Sequence, residues 1–154
     1  MKTKMLKDIV VTLLESHGYK YTVGEEAITL SMSTECCIIE IKILTDEEAG
    51  LVVVYGMLGV FVPPENRGAV LELINDKNVQ SALSTLCMHT GNGPVLCRCS
   101  CYRNNEMITV QDVESALAVV VGTLVEVYPG VVCASLGFSP DLLMNNTDKE
   151  ATSE

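Results

Sequence analysis

The residues with the most chemical promise are three cysteines at alternate positions, Cys97, Cys99 and Cys101. On a strand they share one face, about 6.5–7 Å apart along the chain. Tetrahedral zinc holds each sulfur about 2.3 Å away, so two sulfurs on one ion lie at most about 4.6 Å apart. Neighbouring cysteines on a regular strand do not co-ligate easily, and these three read as small buried hydrophobes. Redox sensing at the same positions would need an exposed thiolate of low pKa. The two histidines, His17 and His89, are far apart in sequence. His17 stands at a helix end, where it reads as a cap for the last carbonyls. His89 falls in a hairpin, facing away from Cys97, so a Cys–His dyad has no support. Glu47-Glu48 fits a solvated turn. Gly91-Asn92-Gly93-Pro94 has neither the Lys nor the following helix of a phosphate loop. No catalytic residue, metal ligand or cofactor is expected.

Composition narrows the rest. Of 154 residues 48% are hydrophobic but only 5% are aromatic, so the core must be aliphatic. The length suits one domain with its own core. The net charge of −10, with ten scattered Lys and Arg, argues against a nucleic-acid partner. Seven cysteines, two of them adjacent at Cys36 and Cys37, do not fit a secreted disulfide framework. A reducing cytosol is the expected compartment. Asp8 interrupts the N-terminal apolar stretch, so no signal peptide is expected. Ser115 to Val125, the longest uncharged helical run, falls short of the roughly 20 residues of a membrane span.

These residues must be positioned by an α+β fold. Met5, Leu6, Ile9, Val10, Leu13 and Leu14 have helical spacing over Lys2–His17, which Gly18 ends. Tyr19–Val23 is an extended lead-in. Ala27–Ser33 and Cys36–Leu44 alternate as two strands of a hairpin, and Leu51–Val62 makes the third strand of a meander. Gly56 and Gly59 mark a bend or a close backbone approach in that strand. Pro63-Pro64 forms a corner before a helix with Val70, Leu71 and Ile74 inward, ended by Asn75–Asn78. Leu83–Thr90 and Val95–Tyr102 pair across Asn92-Gly93 as a two-residue turn, placing Met88 opposite Cys97 and Leu86 opposite Cys99. Thr109 and Asp112 form a capping box for a helix over Val110–Tyr128, stopped by Pro129-Gly130. That helix is apolar almost all round, more than one sheet can cover. A second copy would supply the remaining cover, with Val113, Leu117, Val120, Val121 and Leu124 as the candidate dimer or partner surface. Residues 139–154 are expected to be a disordered acidic tail after a domain of 1–138.

The order α-β-β-β-α-β-β-α, around an antiparallel sheet of about five strands, resembles the type III secretion chaperone-like fold. Within it, the chain resembles the YbjN family of bacterial proteins. The likeness rests on Leu14 to Tyr19, Val62-Pro63-Pro64-Glu65-Asn66-Arg67, Val70 to Asn75, Cys97 to Ser100, and Leu124 to Pro129. The cysteine richness, Gly56 and Gly59 depart from that pattern. The family is described as candidate sensory-transduction regulators or chaperone-like proteins without an established enzymatic activity. The resemblance implies a non-catalytic homodimer, a regulatory or chaperone-like adaptor for an unidentified protein or peptide client. Two alternatives stay open: a genuine type III secretion chaperone, and a thiol-based redox or metal sensor using Cys97, Cys99 and Cys101.

Overall fold

The computed structural model describes residues 5–89, 91, 93–104 and 106–144. The first helix, α1 (Leu6–Ser16), buries Leu6, Ile9, Val10, Leu13 and Leu14 and leaves Met5 exposed. Its end is set by Gly18 at φ +69°. Tyr19 N–H donates to the Leu14 carbonyl at 2.9 Å and Gly18 N–H to the Glu15 carbonyl at 3.1 Å, which satisfies acceptors a helix end would orphan.

Among the described residues six strands follow, all antiparallel: β1 (Thr22–Val23), β2 (Ala27–Ser33), β3 (Ile38–Asp46), β4 (Leu51–Leu58), β5 (Thr85–Met88) and β6 (Val95–Tyr102), in the spatial order β1-β2-β3-β4-β6-β5. The expected α+β architecture is present, with one strand more than expected. The extra one is the extended lead-in, whose Thr22 and Val23 pair with Thr29 and Ile28. The third strand begins at Ile38, because Cys36 and Cys37 are held in the preceding turn by Thr34, whose Oγ1 accepts from both of their N–H groups.

The β5/β6 hairpin has the expected faces but not the expected register: Met88 lies opposite Val95 and Leu86 opposite Cys97. A shift of two residues keeps every side chain on its own face. Past the last pair, Gly93 lies so close to His89 that a Cβ there would come within 2.2 Å of the His89 Cβ. Arg67 also donates to the carbonyls of His89 and Gly93, at 2.8 and 3.0 Å. Asn92 itself lies outside the described residues.

A 3₁₀ turn at Pro64–Asn66 leads into α2 (Arg67–Gln80), which runs through Asn75–Asn78 instead of ending there. Asn78 is bonded to both backbone groups of Leu86, and Lys77 to Glu126, so these polar residues serve the helix rather than stop it. Val70, Leu73 and Ile74 point inward, whereas Leu71 is exposed.

The last long helix, α3 (Val110–Ser135), opens on the expected capping box: Asp112 N–H donates to Thr109 Oγ1, and Thr109 N–H to Asp112 Oδ2. It continues past Pro129. An interior proline costs about 3 kcal/mol. Beyond it Val131, Cys133 and Ala134 are buried, and burying one aliphatic side chain returns roughly 1.5–3 kcal/mol. Gly137, at φ +82°, ends the helix, with Phe138 N–H donating to the Cys133 carbonyl at 2.8 Å. A short turn, α4 (Asp141–Met144), follows where a disordered tail was expected to begin; residues 145–154 lie outside the described ones.

Both long strands in the middle of the sheet present α3 with small side chains. Gly56 lies between Ile41 and Cys97, and Val54 between Ile43 and Cys99. Pairing runs through Gly56 without a break, so this glycine marks a close approach and not a bulge. A Cβ at Gly56 would lie 2.6 Å from both Val120 Cγ1 and Leu124 Cδ1. Helices α1 and α2 flank α3 on this same face of the sheet. Overpacking such a seat costs about 1–3 kcal/mol, so Gly56→Val should lower the urea midpoint clearly. Gly59→Ala, with nothing within 4 Å of the added carbon, should lower it far less. Equal midpoints for the two would contradict the close approach.

Candidate functional site

Cys97, Cys99 and Cys101 alternate along the inner face of β6, beneath α3, as the strand pattern predicts. All three are buried. Cys97 lies between Leu86 and Gly56, beside a small polar network in which the Ser84 and Thr123 hydroxyls lie 3.0 Å apart. Cys101 Sγ donates to the Asp112 carbonyl at 3.4 Å. Burial pushes the Cys97 thiol up to about 11, against a smaller opposing pull from the hydroxyls of Ser84 and Thr123. It pushes Cys101 up to about 11 as well, helped by Cys99 and Asp112, and raises Cys99. Thiols near 11 are about one part in ten thousand thiolate at pH 7, too few for a reactive or sensing cysteine. Among the described residues no group of three or more His, Cys, Asp or Glu is close enough to hold a metal ion.

The two histidines do not join these cysteines. His17 caps its helix, as expected, through its backbone, whose N–H donates to the Leu13 carbonyl at 3.3 Å. Its Nε2 lies 3.0 Å from Glu114 Oε1 on α3, and its ring stacks on Tyr19 with centroids 5.6 Å apart. Lys77 Nζ reaches Glu126 Oε1 at 2.7 Å on the other side of α3. Each flanking helix is thus tied to α3 by one solvent-facing contact, and such contacts are each worth little.

The candidate partner surface on α3 is corrected by this packing. Val113, Val120 and Leu124 are fully buried and Leu117 is 4% exposed. They belong to the core of a single chain, because α1 and α2 supply the cover that one sheet alone lacks. Val121 alone of the five is half-buried, at a cleft between α1 and α3 lined by Leu13, Tyr19, Ala118 and Gly122. Continuing through Pro129 also makes α3, by length and composition, apolar enough to cross a membrane. In this fold ten of its residues are buried against the rest of the chain instead.

What the fold leaves open is the other face of the sheet. The described helices that flank the sheet lie on the inner face. On the outer face β4 presents Leu51, Val53, Tyr55 and Met57, all half-buried, with Leu44 and Leu96 beside them. Lys42 and Arg98 lie either side of Tyr55, and Glu40 and Leu96 either side of Met57. Glu40, Lys42, Leu44, Tyr55, Met57 and Leu96, with Thr29 and His89, line a shallow groove of about 600 Å³. Glu40 accepts from the Ser31 hydroxyl at 2.7 Å. Among the described residues Lys42 and Arg98 make no ion pair. An apolar stripe rimmed by polar groups is the usual mark of a contact surface. The alternation of the strands carried this signal in the sequence, since Leu51, Val53, Tyr55 and Met57 are apolar on the side an amphipathic strand would turn to water.

No protein-family model matches the chain, and no curated protein matches it. Among solved structures it is similar to the crystal structure of YbjN from E. coli, described there as a candidate transcription regulator. The two share 12% identity and superpose with a TM-score of 0.58 over 94% of this chain and 93% of that one. The chain therefore has the YbjN fold, as the sequence resemblance implied, and at this identity the likeness concerns the fold.

The thiol shifts give a pH dependence. Unfolded thiols titrate near 9 and these two at about 11, so at high pH the unfolded state binds fewer protons than the folded one. Their contribution is fully present below about pH 9 and lost as pH rises through 11. Thermal melts across that range should show a falling limb that Cys97→Ala/Cys101→Ala flattens. The same limb in both proteins would rule these thiols out as its cause.

Proposed function

We propose that this chain is a non-catalytic regulatory adaptor that works as a homodimer, with the open face of the sheet as the contact between copies. The carrying observation is the apolar stripe of Leu44, Val53, Tyr55, Met57 and Leu96 on the face the helices leave bare. Two such sheets can stack face to face about 10 Å apart. The charge pattern favours a second copy. The chain carries −10 overall, yet this face holds Lys42 and Arg98 beside Glu40. Its mixed charge lowers the repulsion between two acidic copies there and lets either sign find its opposite.

The client of such an adaptor would be a protein or peptide. The edge strands are poor templates for adding a strand, since β1 has two residues and β5 four. The cleft beside Val121 suits an apolar client segment better. A role like that suggested for YbjN would reach nucleic acid through such a partner. Among the described residues the basic Arg67, Lys77 and Arg103 are committed to internal contacts and are not free for phosphates.

Light scattering is expected to give twice the 16.7 kDa of one chain. Tyr55→Glu/Met57→Glu should shift the protein to monomer with its circular dichroism retained. A wild-type monomer at high micromolar concentration, or a folded double variant that stays dimeric, would overturn the assignment of this face.

A further inference from the structure

The pair of adjacent cysteines, Cys36 and Cys37, sits in the turn between β2 and β3, away from the buried row on β6. Their sulfurs lie 3.7 Å apart. Two thiolates on one tetrahedral d¹⁰ cation, each about 2.3 Å from the metal, stand about 3.8 Å apart. The pair thus already has the span of a chelate. Cys36 is exposed and Cys37 half-buried, so an ion can reach both from solvent.

The turn holds this spacing through Thr34. Its Oγ1 accepts from Cys37 N–H at 3.0 Å and from Cys36 N–H at 3.4 Å, and it donates to the Cys37 carbonyl at 2.8 Å. The same hydroxyl lies 3.4 Å from Cys37 Sγ and 3.7 Å from Cys36 Sγ. Thr34 N–H closes the turn on the Cys37 carbonyl at 2.9 Å. One side chain therefore fixes both backbones and touches both sulfurs, which is what a supporting residue around a metal site does.

We propose that Cys36 and Cys37 form a two-sulfur site for a soft d¹⁰ cation, Cu(I) or Zn²⁺, positioned by Thr34. Both thiols lose their protons to solvent as two metal–sulfur bonds form, and no electrons move. The remaining coordination positions stay open to a donor from outside the chain. Thiolate ligands select this class of cation over hard ions. The overall charge of −10 raises the local concentration of cations. The site is independent of the dimer proposed above.

The test titrates the reduced full-length protein with Zn²⁺, and separately with anaerobic Cu(I), against a chromophoric chelator. One equivalent per chain is expected with at least one of the two ions. It should vanish in Cys36→Ser/Cys37→Ser and persist in Cys87→Ser, which removes another exposed thiol. Thr34→Ala should weaken binding about tenfold. Matching thermal melts establish that the variants are folded. No uptake of either ion by the wild type, or undiminished uptake by the folded double variant, would overturn the site.

Discussion

The contact on which the structure depends is the close approach of α3 to the middle of the sheet. It requires that the sheet present almost no side-chain bulk where Val120 and Leu124 come down. Gly56 supplies that on β4, and Cys97, Cys99 and Cys101 supply it on β6. A cysteine is among the smallest side chains that still bury apolar surface. Seen this way, the cysteines of β6 are packing residues. Their depth under α3 also explains their weak acidity, because the desolvation that makes them good core residues disfavours the thiolate.

Seating α3 there has a second consequence. The helix occupies the middle of one face, and α1 and α2 fill the spaces on either side of it. Most of the apolar surface of α3 that the sheet leaves bare is covered by its own chain, while Val119, Val121, Val125 and Val132 stay half-buried. None of the described helices covers the opposite face of the sheet, although β4 carries apolar residues on both sides. One-sided cover is tolerable for a strand that alternates with polar residues. It is a poor arrangement for the four apolar positions from Leu51 to Met57, and this is the physical reason for placing a second copy there.

Much of this was legible in the residues. Ala27–Ser33, Val95–Tyr102 and the Thr109–Asp112 cap read directly, because alternation and capping are local signals. So did the fold class. The misreadings came where a distant contact outweighs a local one. Pro129 reads as a stop until Val131, Cys133 and Ala134 are seen to be buried beyond it. Asn78 reads as a helix end until its side chain is seen to hold Leu86. The hairpin slipped by two residues because Gly93 and Arg67 specify a longer loop than Asn-Gly alone suggests. On the sequence alone α3 reads as a partner surface for a related reason. An apolar helix announces its need for cover, but the sequence does not say that α1 and α2 are the ones to provide it.

The central claim is that the outer face of β4 is covered by a second copy in solution. Methionine oxidation by dilute peroxide reads it directly, since Met57 lies in that stripe and Met107 is 55% exposed elsewhere. As protein concentration is raised through the association range, oxidation of Met57 should slow while that of Met107 keeps its rate. Oxidation of Met57 at one constant rate, relative to Met107, from dilute to concentrated protein would contradict the account.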